Sequence, residues 1–208
     1  MSGGGGAEGR GPQGVLIAFE GLDQSGKETQ ASQLRERLAR LGRAVVLIEF
    51  PDYLTPISLE IERALRGERE YAPDVLQLLY VANRYEHRAR MEELLGRGVI
   101  ILCDRYLASS VAYGEAQDVD PAWLFDVQRR LPQPALTVLL DIAPETAVRR
   151  KARGRDRFER DLDLQRRVRA SYLRQAEHPA WCRIDGERAV DAVALDVASA
   201  VRARLGLL

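Results

Sequence analysis

Five short apolar runs punctuate the chain: Val15–Glu20, Ala44–Phe50, Gly98–Cys103, Leu136–Asp141 and Trp181–Ile184. Each is rich in branched residues and lacks strict alternation of apolar and polar positions, which is how strands buried on both faces of a parallel sheet read. The segments between them are long enough for crossover helices. Helical spacing predicts Thr29–Leu41, with Ala31, Leu34, Leu38 and Leu41 on one face. Further helices are predicted over Pro56–Leu65, Pro73–Leu95, Ala108–Glu115, Pro121–Arg130, Pro144–Arg153, Leu162–Glu177 and Ala189–Leu205. Several open on a proline, whose missing N–H costs nothing in a first turn, and Gly42 and Gly96 follow their helices as stops. Strand and helix in alternation give an α/β fold, a three-layer α/β/α sandwich with a five-stranded parallel sheet.

No internal repeat or interdomain linker interrupts this pattern. Residues 1–13 are rich in glycine and nearly devoid of apolar side chains, so they read as a disordered tail, leaving 14–208 as a single domain. With 208 residues, 46% of them apolar, that domain can bury a full core. The formal net charge is zero, which argues against general binding to nucleic acid or an anionic membrane. Any phosphate chemistry must then rest on local arginine clusters. No apolar stretch reaches the length of a membrane span or resembles a signal segment, so a cytoplasmic protein is expected. Cys103 and Cys182 lie in apolar runs and read as buried free thiols in a reducing compartment.

Only two of the 31 basic residues are lysines, and Lys27 closes the run Gly21-Leu22-Asp23-Gln24-Ser25-Gly26-Lys27. Strand, glycine-rich loop with lysine, then helix is the layout of a phosphate-binding P-loop, in which backbone N–H groups and the helix N-terminus cradle an anion. A planar guanidinium does not replace the compact ammonium there. The pattern asks for Ser or Thr after the lysine to hold Mg²⁺, but Glu28 stands there, with Thr29 one place on. A glutamate can ligate a hard cation, directly or through water, or it can repel phosphates; both readings stay open.

Asp104-Arg105-Tyr106 follows the third apolar run, at the strand end where open parallel sheets bind ligands. There an acid can act on Mg²⁺ and an arginine can clamp a phosphoryl group; alone, the pair would read as an ordinary ion pair. Phe50-Pro51-Asp52-Tyr53 follows the second run and alone reads as a structural turn. Tyr80 and Arg84, spaced i,i+4, project to one side of a helix and suit a nucleobase by stacking and edge hydrogen bonds, although amphipathic packing gives the same spacing. Arg149-Arg150-Lys151-Ala152-Arg153-Gly154-Arg155-Asp156-Arg157 is either a solvated face or a cationic lid over a phosphate chain.

In sequence order, Phe19-Glu20-Gly21-Leu22-Asp23 through Gly26-Lys27, Phe50-Pro51, Ala82-Asn83-Arg84 and Asp104-Arg105-Tyr106 resemble the motifs of the thymidylate kinases. Arg153-Gly154-Arg155-Asp156-Arg157 resembles that family's lid. These are P-loop nucleoside monophosphate kinases that convert dTMP to dTDP with ATP and Mg²⁺, and the resemblance runs from about Gly14 to the C-terminus. It implies a P-loop kinase domain with a short lid at about 149–160, acting as a homodimer. The implied ATP site is Gly21, Leu22, Asp23, Gln24, Ser25, Gly26, Lys27, Glu28 and Thr29, joined by Arg153 and Arg155. The implied dTMP site is Asp23, Phe50, Tyr53, Tyr80, Arg84, Arg105, Ser109 and Tyr113. Asp23 would take the 3′-hydroxyl, Tyr80 and Arg84 the base, and Tyr113 would crowd a 2′-hydroxyl. Lys27, Arg105, Asp104 and Arg153 are the implied catalytic residues, with Asp104 and Glu28 the implied Mg²⁺ ligands. Many relatives place a phosphate-holding arginine where this chain has Tyr53, and Gln24 with lid arginines matches the branch whose extra arginine sits in the lid. Two further functions fit the same residues: a deoxynucleoside or other nucleoside monophosphate kinase, or a nucleotide-binding regulatory module without catalysis.

Overall fold

The computed structural model describes residues 14–150 and 157–208. Its strands are β1 (Leu16–Glu20), β2 (Val45–Glu49), β3 (Ile100–Asp104), β4 (Leu136–Asp141) and β5 (Trp181–Asp185). They form one sheet in the order β2-β3-β1-β4-β5 with every pairing parallel. The helices are α1 (Lys27–Arg40), α2 (Pro56–Arg66), α3 (Pro73–Glu86), α4 (Arg88–Gly96), α5 (Leu107–Glu115), α6 (Pro121–Gln128), α7 (Pro144–Arg150), α8 (Arg157–Arg160), α9 (Leu162–Gln175) and α10 (Val190–Leu205).

The apolar runs behave as their patterns require. β1, β3 and β4 occupy the middle of the sheet and are buried nearly throughout, whereas β2 and β5 lie at its edges and stay half exposed. One sheet face packs Ile17, Phe19, Leu102 and Val138 against Leu34 and Leu38 of α1 and Val197 and Val201 of α10. The opposite face packs Leu16, Ala18, Ile101 and Cys103 against Met91 of α4 and Tyr106, while α5 and α9 bury a further cluster around Ala112, Leu139 and Val168. Helices thus cover both faces of the sheet, giving the three-layer sandwich. Cys103 is a buried free thiol as expected, but Cys182, on edge strand β5, is only half-buried.

Three details differ from the sequence reading. Leu41 does not join the apolar face of Ala31, Leu34 and Leu38; it caps α1 and is 57% exposed. The stretch Pro73–Leu95 is two helices, not one. At His87 the backbone N–H turns to the i−3 carbonyl of Arg84, and the imidazole Nε2 lies 3.0 Å from Asp52 Oδ2, so a tertiary contact sits where the helical ladder tightens. The short helix α8 carries too few residues to show a periodicity. The parts of the expected tail and lid at 1–13 and 151–156 lie outside the described residues.

All strands run the same way, so their C-terminal ends share one edge, and each strand there finishes on a carboxylate: Glu20, Glu49, Asp104, Asp141 and Asp185. The loops that follow build the site.

Candidate active site

The loop after β1 is seated by backbone geometry. Gly21 has φ 139°, and a Cβ at that position would stand 2.4 Å from Leu140 O, so only glycine lets the loop press against β4. Gly26, at φ 95°, takes the left-handed turn into α1, and Gln24 is also left-handed at φ 64°. Lys27 Nζ folds back to donate to Leu22 O at 2.9 Å. Its ammonium is pushed down to about 8 by burial and by the Arg105 charge, against the pull of Asp104, Asp23 and Glu20. Arg150 secures the loop from outside, donating to Gln24 O at 3.0 Å and to Gly186 O at 2.8 Å. A basin of about 560 Å³ opens over this loop, bordered by residues 23–30, Asp104, Arg105, Arg150 and the Gly186–Arg188 turn.

Beside it lies a tighter cavity of about 100 Å³, walled by Tyr80, Arg84 and Gln77 of α3, by Ser109, Ser110 and Tyr113 of α5, and by Phe158. Asp23, Phe50, Pro51, Tyr53 and Arg105 border both spaces. Arg105 stands at the junction in a left-handed backbone conformation, φ 62°, which a non-glycine residue keeps only where its surroundings hold it. Its Nη2 donates to Asp23 Oδ1 at 2.6 Å, its Nη1 donates to Ser109 Oγ at 3.2 Å and Tyr172 OH at 3.4 Å, and its Cζ lies 5.5 Å from the Tyr113 ring centre. Tyr113 OH donates to the other Asp23 oxygen at 3.0 Å. Burial alone would raise the Asp23 pKa, but the Arg105 and Lys27 charges and the two hydrogen bonds outweigh it and hold the carboxyl well below the usual range. Burial would lower Arg105, yet Asp23 reverses it and drives the guanidinium well above its ordinary value.

Arg84 is 2% exposed, and its Nη1 donates to Ser110 Oγ at 2.7 Å and to Gln128 Oε1 at 3.2 Å, both neutral acceptors. Burial pushes its pKa down, opposed chiefly by the Glu20 carboxylate. Arg84 Nε has no acceptor among the described residues. Tyr53 is half exposed on a loop fixed by its neighbour: Asp52 N–H donates to Asn83 Oδ1 at 2.9 Å, and Asp52 pairs with His87.

The fold therefore brings the expected residues into two adjoining groups. Gly21 and Leu22 are buried behind the loop, while Asp23, Gln24, Ser25, Gly26, Lys27, Glu28 and Thr29 border the basin. Asp23, Phe50, Tyr53, Tyr80, Arg84, Arg105, Ser109 and Tyr113 border the smaller cavity. Arg153 and Arg155 lie outside the described residues. Sequence reasoning missed Gln77, one turn from Tyr80 on α3, and Gln128 and Tyr172, which reach the site from α6 and α9; Arg150, read as part of the arginine run, reaches the P-loop from the end of α7. It also missed Glu49, whose carboxyl is pushed up by burial and by Asp104, Glu28 and Asp52. Glu28, Glu49 and Asp104 all border the basin and place oxygen donors there. Among the described residues no three His, Cys, Asp or Glu side chains are grouped as a ready-made metal cage. Mg²⁺ needs none, since it commonly uses one or two carboxylates together with substrate phosphates and water.

A P-loop at the end of β1, an arginine at the end of β3 and a second pocket against them define a P-loop phosphotransferase. The thymidylate kinase family model matches residues 19–197. A thymidylate kinase of Dictyostelium discoideum is 32% identical over 90% of this chain and 84% of its own length. A probable thymidylate kinase of Pyrococcus abyssi is 35% identical over 93% of this chain and 98% of its own. The solved thymidylate kinase of Candida albicans superposes with a TM-score of 0.80 at 29% identity, covering 94% of both chains. The chain belongs to the thymidylate kinase family.

Proposed function

We infer that this chain transfers the γ-phosphoryl group of ATP to dTMP, giving dTDP. The observation that carries the reading is Arg105, which borders both the phosphate basin and the smaller pocket, where donor and acceptor phosphates must meet. Phosphoryl transfer is chiefly alignment and charge stabilisation, so no side-chain nucleophile is needed. The acceptor phosphate oxygen attacks the γ-phosphorus in line as ADP leaves. Lys27 holds the donor phosphates, and Arg105 exchanges its hold on Asp23 for the phosphates that bridge the two spaces. Arg153 and Arg155 are assigned to the lid by family resemblance.

Tyr80 and Arg84 border the smaller cavity together and suit the base. Asp23, flanked by Arg105 and Tyr113, suits the sugar hydroxyl. Asp104 would hold Mg²⁺, with Glu28 or Glu49 reaching it through water; the bound ion supplies positive charge at the donor phosphates. Residues 14–208 act as one kinase domain. Exposed Leu59 on α2 and Val75 and Leu78 on α3, two helices packed on each other, support a homodimer through this face. Among the described residues no helix is long and apolar enough to cross a membrane, and the free thiols Cys103 and Cys182 suit the cytoplasm.

The test is product analysis of the purified protein with ATP, Mg²⁺ and, in turn, dTMP, dUMP and thymidine. Formation of dTDP from dTMP is expected. Faster phosphorylation of thymidine would make the protein a deoxynucleoside kinase, and binding of ATP and dTMP without dTDP would make it a regulatory module.

A further inference from the structure

Behind Arg105, away from both substrate spaces, lies a carboxylate that none of the chemistry above uses. Glu20 is the last residue of β1 and is fully buried. Its Oε1 accepts from the backbone N–H groups of Tyr106 at 2.9 Å and Ser109 at 3.3 Å. Its Oε2 accepts from Ser109 Oγ at 2.7 Å and Tyr172 OH at 3.1 Å. The same two hydroxyl oxygens, 2.9 Å from each other, receive Arg105 Nη1 on their far side.

A hydroxyl has one proton and two lone pairs. The Ser109 proton goes to Glu20, and the Tyr172 proton is divided between Glu20 and Ser109. The lone pairs of both oxygens are thereby turned toward Arg105, a group that only donates. We propose that Glu20 is a positioning residue for phosphoryl transfer: its buried negative charge sets the direction of the Ser109 and Tyr172 hydroxyl bonds and so fixes the guanidinium of Arg105. It also closes the turn that holds Arg105 in its left-handed conformation, because its Oε1 binds the next backbone N–H, that of Tyr106. The proposal rests on the phosphotransfer reading above, in which Arg105 touches both phosphates.

The decisive variant is Glu20→Gln, which keeps shape and removes charge. The two backbone N–H groups require the amide oxygen at the Oε1 position, so the NH₂ must face Ser109 and Tyr172. It then donates to both hydroxyls, leaving at least one hydroxyl proton with nowhere to point but Arg105. Displacement of a catalytic group by about 1 Å can cost about 10²-fold in rate, so turnover is expected to fall by about that factor while the ATP KM stays within about threefold. In an Arg105→Lys background the same change should cost nothing further, because Glu20 acts through the guanidinium. A merely structural role would multiply the two losses. Turnover of Glu20→Gln within about threefold of wild type, or multiplied losses in the double variant, overturns the proposal.

If Glu20→Gln gives no folded protein by circular dichroism, Tyr172→Phe replaces it in the same cycle. It is expected to lose about tenfold in turnover, again with no added loss in the Arg105→Lys background; unchanged turnover or multiplied losses overturn the proposal. If wild type forms no dTDP, the substrate reading fails, and crystal structures of Glu20→Gln or Tyr172→Phe judge the positioning role separately. Arg105 displaced from Ser109 supports it, and Arg105 unmoved overturns it.

Discussion

Arg105 Nη2 lies 2.6 Å from Asp23 Oδ1, an ion pair spanning 82 positions that joins the turn after β3 to the P-loop. The arginine that borders both cavities is thus committed to a protein carboxylate. The pair aims the guanidinium and also sets what a substrate must displace.

Asp23→Asn should therefore lower turnover, because Arg105 loses a charge-assisted bond worth about 1.5–3 kcal/mol and with it part of its aim. A fall of about ten- to a hundredfold in kcat is expected, measured by steady-state kinetics. Unchanged turnover would show that Ser109 and Tyr172 suffice to hold the guanidinium.

Lys27 gives a pH signature. Its ammonium is held at about 8 in the free protein, so above that pH the loop loses its cation. Bound phosphates favour the charged form and move the titration upward. The expected profile has kcat/KM for ATP falling by about tenfold per pH unit above about 8, while kcat stays level to higher pH. For stability, the folded pKa lies below the ordinary lysine value of 10.5, so the unfolded chain binds more protons between the two, and Lys27's contribution rises with pH across that window. A kcat/KM that stays level to pH 10 would contradict the assignment.

Arg84→Ala should raise the dTMP KM by about tenfold or more, while the ATP KM changes by less than about twofold, since Arg84 borders only the enclosed cavity. It also strands Gln128 Oε1 and Ser110 Oγ, so the melting temperature should fall with it. Isothermal titration with each nucleotide separates the two effects, and equal weakening of ATP and dTMP would refute the base-reading role.

Glu28 is exposed in the first turn of α1 and borders the basin. Its charge favours the helix N-terminus but opposes phosphate there. Glu28→Ser should lower the ATP KM by about threefold and leave stability within about 0.5 kcal/mol. A rise in ATP KM or in the Mg²⁺ requirement would instead make Glu28 a working cation ligand.

How far the sequence could be read follows from the range of each interaction. The central strands were legible because burial on both faces leaves continuous apolar runs, and the P-loop because its glycines and lysine are neighbours in the chain. Tyr80 and Arg84 were legible from helical spacing. Tyr172 was not, since it meets Ser109 across 63 positions and nothing beside it on α9 marks it. Glu20 was visible as an acid ending an apolar run, but its four donors come from the turn after β3, from α5 and from α9. The break at His87 left no local mark either: the residue that meets it there, Asp52, lies 35 positions away on the loop after β2. Leu41 misled because helical spacing continues one residue past the point where α1 stops packing.

The carboxylates at the strand ends carry a consequence for how ligands arrive. Glu20 at the end of β1 with Asp23 in the loop that follows, both near Arg105, and Asp141 beneath Arg169 and Arg183, mean that this edge of the sheet provides counter-ions for its own cations. In the proposed reaction a nucleotide entering there would trade places with a protein acid at Arg105 instead of landing on bare positive charge. Its affinity is then the difference between two ion pairings, and raising the salt concentration weakens both sides of the exchange together. Such a site discriminates by geometry more than by charge, and it can stay responsive to a nucleoside monophosphate amid a large excess of other cellular anions.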